Sequence, residues 1–92
     1  MSDLSTATLF AEAALGRDAE EFLGTELGRY MLARAEEEER EALEELSRVW
    51  PWRRRRIEQL QTKIHRARSF RDYLGELIMT GKQALENLDA RE

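Results

Sequence analysis

The stretch 57-IEQLQTKIHRARSFRDYLGELIMTGKQALENL-88 decides the architecture of this chain. Positions 57, 60, 64, 67, 71, 74, 78, 81, 85 and 88 step by three and four without a break. They carry Ile, Leu, Ile, Ala, Arg, Leu, Ile, Gly, Leu and Leu, eight of them apolar. That spacing returns side chains to one face of an α-helix, so the stretch predicts a long helix whose seam packs on other helices. The expected fold class is all-α.

Toward the N-terminus, Pro51 lies between Trp50 and Trp52. The residue before a proline avoids the α region, whereas proline itself is tolerated at a first helical position, so this tripeptide predicts a tight corner. Before it, residues 26–49 predict a second long helix, with Leu27, Tyr30, Met31, Ala35, Ala42, Leu46 and Val49 on its packed side. Two amphipathic helices joined by a short corner make an antiparallel hairpin. Reflection about Pro51 sets Leu46 against Ile57, Leu43 against Leu60 and Gly28 against Gly75.

The first 24 residues predict one or two short helices. Ser5 is the expected N-cap, with Leu4 and Leu9 as a hydrophobic staple. Gly16 is the expected C′ stop, and Asp18 with Glu21 forms a capping-box variant opening a second short turn that ends at Gly24. Thr25 is placed to cap the acidic helix. A single domain over 1–92 therefore divides into short N-terminal helices (5–24), an acidic helix (25–50) and a long amphipathic helix (51–88). The long helix outruns its hairpin partner by ~13 residues, or ~20 Å at 1.5 Å per residue. Phe10 and Phe22 are the expected plugs for that overhang, with Gly81 admitting one of them.

A 92-residue chain hides only roughly 60–65% of its unfolded surface, which makes self-association an expectation from size alone. There is no cysteine, so disulfides and thiolate metal sites are excluded. No apolar run approaches the ~20 residues of a membrane span, and the N-terminus lacks a basic signal-peptide region. A cytoplasmic location is expected.

The net charge of −4 conceals an asymmetry: residues 1–47 hold 13 acids and 4 bases, residues 48–92 hold 6 acids and 11 bases. The hairpin register explains most of it, since Glu36–Glu39 fall beside Lys63, Arg66 and Arg68. Such pairs contribute about 0.2–1 kcal/mol each and help to fix register. Arg71, the one charge on the seam, reaches Glu26, Asp72 or an acid on a second subunit.

The densest cluster is Trp50-Pro51-Trp52-Arg53-Arg54-Arg55-Arg56, preceded by Arg48. Trp and Arg dominate interface hot spots and also suit base stacking and phosphate contacts. The plainer reading is that the indoles close the hairpin end while Glu44, Glu45 and the C-terminal dipole of the acidic helix neutralise part of the charge. Four consecutive arginines point around the whole helix, so at least two face solvent. Trp50, Trp52, Arg53, Arg54, Arg55 and Arg56 are the candidate partner-binding residues. Phe70, Arg71, Tyr73, Leu74, Leu77, Ile78 and Leu85 are the candidate oligomer seam, because they widen the apolar face beyond what one partner helix covers.

Residues 36–45 hold seven Glu and one Arg. A di-iron carboxylate reading needs Glu-x-x-His pairs, and the lone His65 has Thr62 three residues before it. A solvated, salt-bridged face is the better reading, with His65 a polar neighbour of Glu38 or Glu39. Catalysis finds no support: there is no cysteine nucleophile, no second histidine and no Gly-rich phosphate loop. Ser69, one turn from His65, lacks a third member. No cofactor or metal is expected.

The stretches FLGTELGRYMLARAEEE and WRRRRIEQLQTKIHRARSFRDYLGELIMTGKQALE resemble small helical proteins of unknown function encoded by tailed bacteriophages and prophages. Phe22, Leu23, Gly28, Arg29, Tyr30, Arg34, Ala35 and Glu36 carry the resemblance, with Leu60, Gln61, Arg66, Ala67 and Leu74. It implies a phage accessory or assembly factor in a bacterial host cytoplasm and assigns no site residues. The expectation is a non-enzymatic, homo-oligomeric interaction protein that binds a phage or host protein. The alternatives are a nucleic-acid-associated packaging or regulatory factor using the arginine tip, and a sponge-like anti-defence oligomer holding a small ligand between subunits.

Overall fold

The computed structural model describes residues 3–91, with side chains from residue 5 onward. It is all-helical: α1 spans Asp3–Gly24, α2 spans Glu26–Leu46 and α3 spans Arg54–Asp89, with no strand among the described residues. The 36-residue α3 is a spine about 54 Å long at 1.5 Å per residue. Its first half packs on α2 and its second half on α1, while α1 and α2 meet chiefly around the Thr25 corner. Both run antiparallel to α3, as cross-helix contacts mark: Arg56 with Glu45 and Arg68 with Glu39 on one half, Lys82 with Glu20 and Arg91 with Thr6 on the other. The Cα envelope measures 60 × 29 × 15 Å, so the molecule is thin in one direction.

Residues 3–24 form one helix, not two, and Gly16 does not stop it. The helix runs through Ser5, so Ser5 is not its N-cap. The expected staple with Leu4 lies outside the described side chains. Gly16 instead serves the contact with α3. A Cβ there would lie 2.7 Å from the Gly81 Cα and 2.8 Å from the Leu77 carbonyl oxygen; one on Gly81 would lie 2.8 Å from the Gly16 Cα. Both obstacles are backbone, so only hydrogen at both positions permits this approach. Gly81 therefore admits the backbone of α1 in place of a phenylalanine plug. Phe10 stays exposed and Phe22 is half-buried.

This crossing also shifts the seam. Ala84 is 1% exposed and Leu85 44% exposed, although the three-four pattern favours position 85. Where two backbones touch, a methyl fits beside the contact and an isobutyl group is displaced to the flank.

The α1–α2 corner has its own cause. Thr25, in extended conformation, accepts through Oγ1 from the Gly28 N–H at 2.9 Å and donates from the same hydroxyl to the Phe22 carbonyl at 2.6 Å. A Cβ on Gly28 would fall 1.7 Å from that carbonyl oxygen. Gly28 thus belongs to the corner and not to a pairing with Gly75, where an added Cβ would have nothing within 4 Å.

Charge and packing along α2 and α3 agree in register. Ala42, Leu60 and Ile64 form a buried cluster with Leu46 against it. Ala42, not Leu43, faces Leu60, and Leu43 is exposed. Helix α2 ends at Leu46 and α3 begins at Arg54, each inside the boundaries expected from sequence. Residues 47–53 form the connecting corner, where the Arg53 N–H donates to the Trp50 carbonyl at 3.0 Å.

Candidate interaction surfaces

The interior is built from small residues. Ala13, Ala19, Ala42, Ala67 and Ala84 are buried with Ile64, and Leu60 is the only large side chain among the described residues that is fully enclosed. Eleven large apolar or aromatic side chains among the same residues are exposed. Single exposed apolar residues are ordinary, whereas contiguous ones mark interaction sites.

One flank of the α2–α3 pair gathers four of them, Leu27, Tyr30, Met31 and Tyr73. Tyr30, Met31 and Ala35 of α2 with Ala67 and Phe70 of α3 line an apolar groove of about 220 Å³. Leu27, one turn before Met31, and Tyr73, one turn after Phe70, continue the same flank by helical spacing. Tyr30 is 63% and Tyr73 64% exposed. Glu38 edges the groove between two arginines, 3.6 Å from Arg34 and 3.8 Å from Arg66. The sequence pattern assigns Leu27, Tyr30 and Met31 to the packed side of α2, and the structure corrects this. They are displaced because the face toward α3 follows 32, 35, 39, 42 and 46, which holds the buried Ala42 and the half-buried Leu32, Ala35, Glu39 and Leu46.

The candidate oligomer seam is divided between two places. Phe70 and Tyr73 join the apolar groove and its extension. Ile78 and Leu85 line a separate groove with Ala13, Arg17 and Glu20 of α1. Leu74 and Leu77 are half-buried along α3. Arg71 reaches Glu39 at 3.4 Å and Asp72 at 3.7 Å.

At the corner, the Trp50 and Trp52 rings stack with centroids 4.9 Å apart and planes 14° from parallel. They are 61% and 72% exposed, so the indoles close no core. Arg56 is held by Glu45 in a two-pronged contact, with Nη2 to Oε1 at 2.6 Å. This contact lowers the Glu45 pKa and raises that of Arg56. Arg48 comes within 3.9 Å of Glu44. Arg53, Arg54 and Arg55 have no carboxylate within ion-pair distance among the described residues, and all three are exposed. Trp52, Arg53–Arg56 and Gln59 line a shallow groove of about 300 Å³.

The acidic band of α2 is salt-bridged along its length. Arg40 bonds Glu37 at 2.5 Å and Glu44 at 3.2 Å, and Arg68 bonds Glu39 at 2.7 Å. The arginine hydrogen bonds hold Glu37 and Glu39 below the usual carboxylate pKa. His65 contacts Ser69 at 3.5 Å, a weak pair one turn apart, and not Glu38 or Glu39. Among the described residues no three potential metal ligands converge. No helix among the described residues is long and apolar enough to cross a membrane.

Comparisons with protein-family models, with curated proteins and with solved structures yield no match to this chain.

Proposed function

We propose that this chain is a non-enzymatic assembly protein that self-associates through the Tyr30–Met31–Phe70–Tyr73 flank and presents its Trp–Arg corner to a second component. The unit that associates is the antiparallel hairpin of α2 and α3, with α1 folded along the distal half of α3. One observation carries the reading: large apolar side chains lie outside on a chain whose enclosed interior is mostly alanine and glycine. With its rim, the flank offers an area on the order of 500–800 Å², close to the ~800 Å² that each partner contributes to a standard interface. A second copy laid on this flank converts a thin two-helix layer into a four-helix packing with a shared core.

The resemblance to small helical phage and prophage proteins supplies the setting: a phage-encoded accessory factor in a bacterial cytoplasm, with a phage or host molecule at the corner. Light scattering across micromolar concentrations tests the assembly claim. A mass of at least twice 10.8 kDa is the expected result, and a constant monomer mass contradicts it.

A further inference from the structure

The corner and the outward face of α3 form one continuous basic surface. The groove beneath Trp52 shares Arg55, Arg56 and Gln59 with a second groove of about 540 Å³ that runs on to Thr62, Lys63 and Arg66. Positions 55, 59, 62 and 66 recur on one helical face, and from 55 to 66 this track is about 16 Å long. Glu58 is the one acid lining it, while Glu45 holds Arg56 and Glu38 stands 3.8 Å from Arg66 at its edge. Arg53, Arg54, Arg55 and Lys63 have no carboxylate within ion-pair distance among the described residues; Glu45 acts on Arg53 and Lys63 only at longer range and is itself bound to Arg56. The track begins at a stacked, exposed indole pair, each ring offering its outer face.

We infer that this surface binds single-stranded nucleic acid, with phosphates along the unpaired arginines and Lys63 and a base stacked on the Trp50–Trp52 pair. Three features select this partner. A repeating polyanion matches a row of unpaired cations. A flat aromatic platform is used by a base, whereas an acidic peptide segment has no need of it. Arg56, Arg66, Arg68 and Arg71 are each held by a carboxylate of α2, so the cations left without a close partner gather at the corner and at Lys63, a single row that matches one phosphate backbone better than the two of a duplex. This inference rests on the reading of the corner as a free contact surface, and it does not require the apolar flank to be covered.

Fluorescence anisotropy with a labelled oligo-dT strand of about 15 nucleotides tests it, beside a duplex of equal length and an oligo-glutamate peptide. Four phosphate contacts give a slope of about −3 in log affinity against log salt, a loss of roughly 50-fold between about 50 and 200 mM salt. The triple change Arg53→Glu, Arg54→Glu, Arg55→Glu is expected to remove binding. Trp52→Ala is expected to weaken it by about 5-fold to 100-fold, as loss of one stacked base does. Helix content and light-scattering mass, read on the same samples, should be unchanged in both variants. The inference is overturned if dT binding is absent at low salt, if the triple variant retains it, or if the duplex or oligo-glutamate binds as tightly. Failure of binding by a chain that still self-associates removes only this inference. Binding by a persistent monomer leaves it standing and removes the assembly claim.

Discussion

Two glycines six residues apart in the same helix should respond to alanine in opposite directions. At Gly75 nothing lies within 4 Å of an added Cβ, so Gly75→Ala gains only helix propensity, about 1 kcal/mol. At Gly81 the new methyl meets the Gly16 Cα at 2.8 Å and the Glu12 carbonyl oxygen at 3.1 Å. Carbon atoms prefer about 3.5–4.0 Å, so α1 must retreat by roughly 0.7–1.2 Å, loosening its packing around Ala13 and Ala84. Overpacking of this kind costs about 1–3 kcal/mol. With backbone on both sides the upper part of that range applies, and after the propensity gain Gly81→Ala should lose about 1–2 kcal/mol. A domain of this size shifts its Tm by about 4–8 °C per kcal/mol. Gly75→Ala should therefore melt about 4–8 °C higher than the parent, and Gly81→Ala about 5–15 °C lower. The assay is thermal unfolding followed by far-UV circular dichroism at one fixed protein concentration, since the proposed self-association would make Tm depend on concentration. A rise in Tm for both variants refutes the close crossing of α1 and α3.

Thr25→Ala removes the hydroxyl that caps α2 and binds the Phe22 carbonyl, and should cost about 0.5–2 kcal/mol in chemical denaturation. Leu60→Ala empties the one fully enclosed large side chain among the described residues and should cost about 2–5 kcal/mol in the same assay. Acid should destabilise the chain in a defined window. Glu37, Glu39 and Glu45 have folded pKa values below their ordinary 4.5, so their contribution is present above that value and lost as pH falls through the depressed ones. Melting temperature should be flat from neutral pH to about 5 and fall below about 4.5, with a smaller fall in Glu39→Gln combined with Glu45→Gln.

The long amphipathic helix and the placement of acids of α2 beside bases of α3 are legible in the sequence, because both rest on periodicity and charge that survive without knowledge of partners. The N-terminal part is not. Gly16 reads locally as a helix stop, and only its meeting with Gly81, 65 positions away, makes it a contact residue inside one helix. Helix α2 misleads for a related reason. Its packed face carries Ala35, Glu39 and Ala42, residues that announce burial less than Leu27, Tyr30 and Met31 beside it. The unbroken three-four ladder from 32 to 46 is the available signal. The Trp–Arg corner is legible as a cluster but not in its pairing state: sequence alone does not tell that Glu45 holds Arg56 while Arg53–Arg55 stay unpaired.

The central claim is that one flank, and not hydrophobicity in general, drives self-association. Light-scattering mass of Tyr73→Glu beside Leu43→Glu tests it most directly. Both side chains are exposed, but Tyr73 extends the apolar flank while Leu43 lies on the opposite one with Gln61 and His65. A mass of 10.8 kDa is expected for Tyr73→Glu with helix content retained, and the parent's oligomeric mass for Leu43→Glu. An oligomeric Tyr73→Glu, or a Leu43→Glu that dissociates equally, contradicts the claim.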